Sequence, residues 1–438
     1  MQFELITGDG SQLFANDSPK ALLVSVYQGG PVQRQISEEH LEELALLADT
    51  YGVKVLHKIP CAVRRYDAAM YVTEGKLQEL LDAAKEHQAN LVIFDDEIAP
   101  SQQRNLEKAF GIPVIDRTEV ILGVFAQRAQ TKEARLQIEL AKVKYQAPRL
   151  KRLWTHLSRQ HGTGSSGSGG AYLKGEGEKQ IEIDKRILKR KIEQLQSEIE
   201  DVKSHRETQR ISRQRSEVPV FAIIGYTNAG KSTLLNALTD AGVFVEDKLF
   251  ATLDTTTRKF VLPNNQEVLL IDTVGFIRKL PHLLVAAFKS TLEEAFQSDI
   301  LLHLVDVSHP MAEEQAETTF EVLKELKAEG KPVITVLNKV DLCQDSETLT
   351  RMLHKYPKTI SISALKHQGF DELQDIMMQE LSKQRRVVTL RIPQSDYGIV
   401  GEVRRLGNVL DQEYEENDVL VKVELPIAQV QRLKNYVQ

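Results

Sequence analysis

Nine consecutive residues concentrate chemistry in this chain: Gly225, Tyr226, Thr227, Asn228, Ala229, Gly230, Lys231, Ser232 and Thr233. They follow the apolar run Val220-Phe221-Ala222-Ile223-Ile224 and lead into a helical pattern, STLLNALT. Their spacing satisfies G-x-x-x-x-G-K-[ST], set where that pattern has a mechanism, between a buried strand and a helix. The glycines let main-chain N–H groups from Asn228 to Ser232 turn inward around a phosphate, and the helix N-terminus adds partial positive charge. Lys231 then reaches the β and γ oxygens of a nucleoside triphosphate, and the Ser232 hydroxyl is placed to ligate Mg²⁺.

Three further strings extend this site. Asp272-Thr273-Val274-Gly275 follows the apolar strand VLLI, so Asp272 can hold the outer shell of the metal and the Gly275 N–H can sense a γ-phosphate. Asn338-Lys339-Val340-Asp341 closes PVITVL at its carboxyl end, where ligands of open parallel sheets bind. Asp341 can accept hydrogen bonds from N1–H and the 2-amino group of guanine. Adenine offers neither and would leave the carboxylate unpaired, so GTP is expected over ATP. Asn338 would bridge base and loop, the Lys339 stem would cover the base face, and Ser363-Ala364-Leu365 would complete the pocket edge through backbone N–H groups.

Between the glycine loop and Asp272 lies LFATLDTTTRKF, placed where a mobile switch belongs. Phe250, Ala251, Thr252, Leu253 and Asp254 are assigned to the nucleotide here. Thr252 is the expected second hydroxyl on Mg²⁺, beside Ser232, with Thr255, Thr256 and Thr257 as competitors. Lys231, Thr252 and Gly275 are the expected catalytic groups. The position after Gly275, where Ras-type enzymes place a water-orienting glutamine, is Phe276, whose phenyl ring cannot orient water. Hydrolysis is therefore expected to be slow without a partner that orders the switches, unless another side chain supplies the water contact while Phe276 packs in the switch hinge.

These strings need elements to hold them. At 438 residues and 42% hydrophobic content the chain can bury several cores. Residues 1–128 alternate apolar runs (ALLVSVY, VKVLHKI, NLVIFD, IPVID) with helical segments, a βαβαβαβ pattern implying a small parallel sheet. FDDE at its third strand end reads as solvated helix-cap acids. Over 129–216, Leu136, Leu140, Val143, Ala147, Leu150, Trp154 and Leu157 recur at helical spacing, as do Leu188, Ile192, Leu195, Ile199 and Val202. A Gly/Ser-rich stretch between them makes this a helical hairpin with a flexible tip, its first arm kinked at Pro148. Residues 131–215 hold 20 Lys plus Arg against 11 Asp plus Glu, although the whole chain has a net charge of -6. Residues 217–384 return to apolar strands alternating with helices, a doubly wound pattern, and 385–438 suggest a small α+β unit. Cys61 and Cys343 lie far apart without metal-ligand spacing, as in a reducing cytosol. No leader or membrane-length apolar run is evident.

In this order the elements resemble the translation-factor-like P-loop GTPases. GYTNAGKST, FATLDTTTR, DTVGFIRKLP and GEGEKQIEIDKR resemble the HflX family, over nearly the whole chain. The implied fold is α/β: a doubly wound GTPase sheet over 217–384, an N-terminal α/β domain, a helical hairpin (coiled coil) and a C-terminal α+β domain. The resemblance implies a cytoplasmic monomer that hydrolyses GTP with Mg²⁺ and binds the large ribosomal subunit, its hairpin and loop touching ribosomal RNA, where some family members separate subunits. Lys179 stands where the family pattern has threonine, and GTGSSGSGG is more serine-rich than the usual loop, so the resemblance does not extend to the fine contacts of that tip. A different reading is a stand-alone hydrolase whose N-terminal domain binds a small ligand or second nucleotide.

Overall fold

The computed structural model describes residues 18–149, 182–202, 218–239, 249–250, 255–281, 298–325, 330–343, 345–383, 385–415 and 417–438. By contact the chain divides into two units. The first contains residues 1–204 with the short segments 248–250 and 279–288, and the second contains the remainder.

In the first unit, buried aliphatic runs form β1 (Lys20–Tyr27), β3 (Leu91–Phe94) and β4 (Val114–Asp116), and the mixed, half-buried run of β2 (Lys54–Ala62) takes a sheet edge. All pair parallel in the order β2-β1-β3-β4. Parallel strands need crossovers, and helices α1 (Pro31–Tyr51), α2 (Glu74–Glu86) and α3 (Pro100–Phe110) supply them, followed by α4 (Arg117–Arg128). Gly52 ends α1 at φ 87°, a left-handed cap that glycine adopts without a Cβ penalty.

The expectation of solvated acids at the third strand end holds for Glu97, which is exposed, but not for Asp95 and Asp96. Asp95 is fully buried, and Arg117 Nη1 donates to it at 3.0 Å while also reaching Glu43. Lys279, in the same unit, pairs with Asp95 Oδ2 at 3.4 Å and with Asp96. A second buried carboxylate, Asp116, caps α4, accepts from the Tyr145 hydroxyl at 2.8 Å and pairs with Arg149 at 3.4 Å. Both acids are neutralised by arginines far away in sequence, which burial demands.

Helix α5 (Lys132–Gln146) gives way to a 3₁₀ turn at Ala147–Arg149, at the proline where a kink was expected. Pro148 has no N–H for the helical ladder and its ring crowds the preceding turn. A second arm, α6 (residues 182–202), zips against α5: Leu136, Val143, Leu195 and Ile199 form a buried cluster flanked by Leu140, Leu188, Ile192 and Val202. Leu150, Trp154, Leu157 and the Gly/Ser-rich tip with Lys179 lie outside the described residues.

In the second unit, β5 (Val220–Gly225), β6 (Thr256–Val261), β7 (Glu267–Asp272), β8 (Ile300–Asp306), β9 (Val333–Asn338) and β10 (Thr359–Ser361) form one sheet in the order β10-β9-β8-β5-β7-β6. β6 runs antiparallel to β7 and the other pairs are parallel. Helices α7 (Lys231–Thr239), α8 (Ala312–Glu325), α9 (Ser346–Lys355) and α10 (Phe370–Lys383) accompany the sheet. β6 was not expected, because Thr256 and Thr257 read as part of a mobile switch. A small antiparallel sheet, β11 (Arg385–Pro393), β13 (Asp418–Pro426) and β12 (Asn408–Glu415) in that order, ends the chain with α11 (Gly398–Leu406) and α12 (Ile427–Arg432).

Candidate functional site

β5 ends on Gly225, and the next residues turn so tightly that only glycine fits. Its φ is 150°, and a Cβ there would lie 2.2 Å from the Leu304 carbonyl oxygen on β8. Gly230 closes the turn at φ 94°, where a Cβ would lie 2.4 Å from Asn338 Nδ2. Asn228 between them takes the left-handed region at φ 60°. The loop is thus locked on one side by strand β8 and on the other by the end of strand β9, and Lys231 begins α7 directly behind it.

Lys231 is nearly buried and folds back over the loop, its Nζ donating to the Tyr226 carbonyl at 2.7 Å and the Gly225 carbonyl at 3.3 Å. Burial pushes its ammonium down to about 8; Lys339 adds to that and Asp272 opposes it. A ligand carrying several negative charges would relieve this cost. One residue on, Ser232 Oγ donates to Asp272 Oδ2 at 2.6 Å, so the pair expected at a metal sits together at the loop's mouth. Among the described residues no cluster of three His, Cys, Asp or Glu side chains could cage a metal. One hydroxyl with a carboxylate behind it fits magnesium, which keeps water and phosphate oxygens as most of its ligands.

Asp272 is fully buried at the end of β7, and Thr273 behind it donates its hydroxyl to the Ile223 carbonyl at 2.7 Å, a tie to β5 rather than to a ligand. Val274 is buried. The following backbone is laid on the glycine loop: Phe276 N–H donates to Gly225 O at 3.0 Å and Thr227 N–H donates to Phe276 O at 2.7 Å. Gly275 has no room for a side chain, since a Cβ would lie 2.8 Å from Thr227 Cα and 2.9 Å from Lys231 Nζ. The Tyr226 hydroxyl accepts from the Arg278 N–H at 2.8 Å, a contact for which no motif carries a signal. Phe276 itself is 2% exposed and packs inward.

Asn338, nearly buried at the end of β9, spans two loops with one amide. Its Nδ2 donates to the Ala229 carbonyl at 2.9 Å, and its Oδ1 accepts from the Ala364 N–H at 2.9 Å. Lys339 takes φ 64° and pairs with Asp306 at 2.7 Å. Asp306 was missed by motif reading, although its place at the carboxyl end of β8 marks it as a candidate on the same grounds as Asp272 and Asn338. Val340 N–H donates to Ile362 O at 3.3 Å, packing the Asp341 turn on the Ser363 loop. The Ser363 hydroxyl holds the Asp341 carboxyl below its usual range, with Lys366 a lesser contributor 3.5 Å away. Ser363 and Ala364 are buried, whereas Leu365 is exposed. Thr233 is half-buried in the first turn of α7.

The structure therefore gathers residues 225–233, 272–275, 338–341 and 363–365 at the carboxyl end of one sheet. Phe250 is not among them: it is buried in the first unit with its ring 4.4 Å from that of Phe125. Ala251, Thr252, Leu253 and Asp254 lie outside the described residues. Of the competitors to Thr252, Thr256 and Thr257 belong to β6, where Thr256 pairs with Asp272 in the ladder.

A doubly wound sheet with a glycine loop before its first helix, a buried Asp-x-x-Gly and a strand-end Asn-Lys-x-Asp defines a P-loop GTPase. Three family models match the chain: "GTP-binding GTPase N-terminal" over residues 38–126, "GTP-binding GTPase Middle Region" over 128–213 and "50S ribosome-binding GTPase" over 220–339. A relative from Chlamydia pneumoniae named GTPase HflX is 47% identical over 431 residues, covering 95% of this chain and 90% of its own. Another of that name from Escherichia coli K12 is 40% identical, covering 94% of this chain and 95% of its own. A solved GTP-binding protein from Sulfolobus solfataricus in complex with GDP is 27% identical over 84% of this chain and 99% of its own, with a TM-score of 0.41. The chain belongs to the HflX family of GTPases, and its reaction is the hydrolysis of GTP.

Proposed function

We propose that this chain is a GTP-switched factor that docks on the large ribosomal subunit and remodels or splits ribosomes. The observation that carries the nucleotide half is the Asn338 amide, which ties the phosphate loop to the Ser363 loop beside Asp341, so phosphate grip and base reading form one pocket. The ribosome half rests on the family description for residues 220–339 and on the basic hairpin of 129–216, whose surplus of nine positive charges suits phosphate neutralisation on RNA.

In this reading N–H groups of Asn228–Ser232 cradle the β-phosphate, Lys231 bridges β and γ oxygens, and the Gly275 N–H reaches the γ-phosphate. Asp341 accepts from the guanine edge while the Lys339 stem, steadied by Asp306, covers its face. Ser232, with Thr252, would hold a magnesium ion, Asp272 standing behind; bound there, the ion neutralises charge on the β and γ oxygens. Phe276 leaves the intrinsic rate slow and gives the ribosome a step to accelerate.

The division into 1–128, 129–216, 217–384 and 385–438 is proposed as the division of function. A cytoplasmic monomer suits the reading, and among the described residues no helix is long and apolar enough to cross a membrane. The alternative of a small-molecule site in the N-terminal sheet loses support, because its strand-end acids Asp95, Asp96 and Asp116 are already paired with basic side chains. Sedimentation with purified ribosomal subunits in GTP-analogue, GDP and nucleotide-free states tests the proposal. Comigration with the large subunit strongest with the GTP analogue and lost as salt rises is expected; no comigration in any state would overturn it.

A further inference from the structure

We infer that Thr227 supplies the water contact that Phe276 cannot. Hydrolysis needs an oxygen of water held in line with the γ-phosphorus; its bond to phosphorus forms as the bond from phosphorus to the β–γ bridging oxygen breaks, and the proton of the water leaves with the released phosphate. A side chain that orients this water must reach the γ end of the cup, carry a hydrogen-bonding atom and have that atom uncommitted.

Thr227 meets each condition. It lies beside the two groups assigned to the γ-phosphate: a Cβ placed on Gly275 would sit 2.9 Å from Thr227 Cγ2 and 2.9 Å from Lys231 Nζ. Its residue is 6% exposed, and its hydroxyl oxygen is buried without a hydrogen-bond partner among the described residues. Buried hydroxyls are otherwise paired in folded proteins, so an orphan on a residue packed against Gly275 and Lys231 points to a partner that arrives with the substrate. Threonine commonly populates two χ1 rotamers, and one rotation exchanges Oγ1 with the methyl group now touching Gly275.

The neighbours cannot take this role. Phe276 offers only its main-chain N–H and C=O, and both are committed to Gly225 and Thr227. The Thr273 hydroxyl is spent on Ile223, the Tyr226 hydroxyl on Arg278, and Ser232 on Asp272. The Thr227 backbone is anchored by its own N–H on Phe276 O at 2.7 Å, so its side chain stays in register with the switch that must close over the γ-phosphate. In the closed state the hydroxyl accepts from or donates to the attacking water, held between Gly275 and the γ-phosphate.

The inference rests on GTP hydrolysis alone and not on the ribosome reading, so its test leaves ribosomes out. Thr227→Val keeps the shape and removes the hydroxyl; Thr227→Ser keeps the hydroxyl and removes the methyl. Single-turnover hydrolysis in the full chain is expected to fall about tenfold or more in Thr227→Val and to recover to within about threefold in Thr227→Ser. Affinity for GDP should stay within about twofold in both, whereas Thr227→Val should lose tight binding of GDP with aluminium fluoride, which requires the in-line water. A Thr227→Val chain that hydrolyses GTP at the normal rate overturns the assignment. So does a parallel loss of GDP affinity and rate, or a serine variant as slow as valine, since either marks the methyl group's packing as the cause. If the valine variant fails to fold, Thr227→Ala is read in the same way.

Discussion

Two parallel sheets in this chain are built by the same rule and end differently. Both are wound from βα units, and both place acidic side chains at the carboxyl ends of strands, where open α/β sheets hold their ligands. In the N-terminal sheet those ends are filled from within: Arg117 pairs with Asp95 and Glu43, and Arg149 pairs with Asp116 while lying 3.6 Å over the Tyr145 ring. In the six-stranded sheet the corresponding positions, Asp272, Asp306 and Asn338, surround a glycine turn of main-chain donors and a buried lysine. The same architecture thus yields a sealed end and a cup, and the sealed one shows why a fold alone does not announce a site.

If the N-terminal end is structural, Arg117→Ala should cost about 3–5 kcal/mol of stability in that unit, because two carboxylates lose a buried partner. Urea unfolding read by thiol labelling of Cys61, which is buried in the first unit, measures this. GTP affinity of the folded variant should be unchanged, and a parallel loss of nucleotide binding would break the contrast. The cup should respond the other way: Lys231→Ala is expected to weaken GTP about a hundredfold by calorimetry while leaving Cys61 labelling unaltered.

A smaller effect sharpens the base-reading end. Asp341→Asn should reduce the preference for GTP over ATP about tenfold, measured by competition with a fluorescent nucleotide, with GTP phosphate contacts intact. Unchanged selectivity would remove Asp341 from the pocket.

The smallest effect concerns His303, fully buried on β8 with its ring against Phe320 and Tyr356 and neither ring nitrogen partnered among the described residues. Burial pushes its imidazole down to about 3. The unfolded chain takes up a proton as pH falls through about 6.5 and the folded chain does not, so stability is full above that value and declines below it. The loss between pH 6.5 and 5.5 is roughly 1 kcal/mol, and His303→Leu should abolish that part of the slope in thermal unfolding. Equal slopes in the two proteins would show that this histidine is not held neutral.

The cup was legible in the sequence because its parts are local. Glycine spacing, a lysine and serine at a helix start, and polar residues terminating apolar strands all lie within short windows, and topology brings those windows together. The sealed end was not legible: Asp95 with Arg117 and Asp116 with Arg149 are long-range pairs of types that are usually solvated, so FDDE read as surface caps. β6 was missed for a related reason, since an edge strand paired on one side tolerates the polar run Thr256-Thr257-Arg258-Lys259 that resembles a loop. Phe250 reads as a switch residue by position, but its aromatic contact with Phe125 joins residues 125 apart in sequence, and no local signal carries that. Thr227 and Tyr226 sit inside the motif at variable positions, so the pattern located them without saying what their hydroxyls do.

The bridge made by Asn338 ties the mobility of its two neighbours together. Loss of the Ala364 N–H from Asn338 Oδ1 removes one of the two restraints on the amide whose Nδ2 grips Ala229, so loosening of one loop weakens the hold on the other. Deuterium should therefore enter the Ala364 amide and the glycine turn at linked rates, and GTP should slow both even though base and phosphates touch different loops.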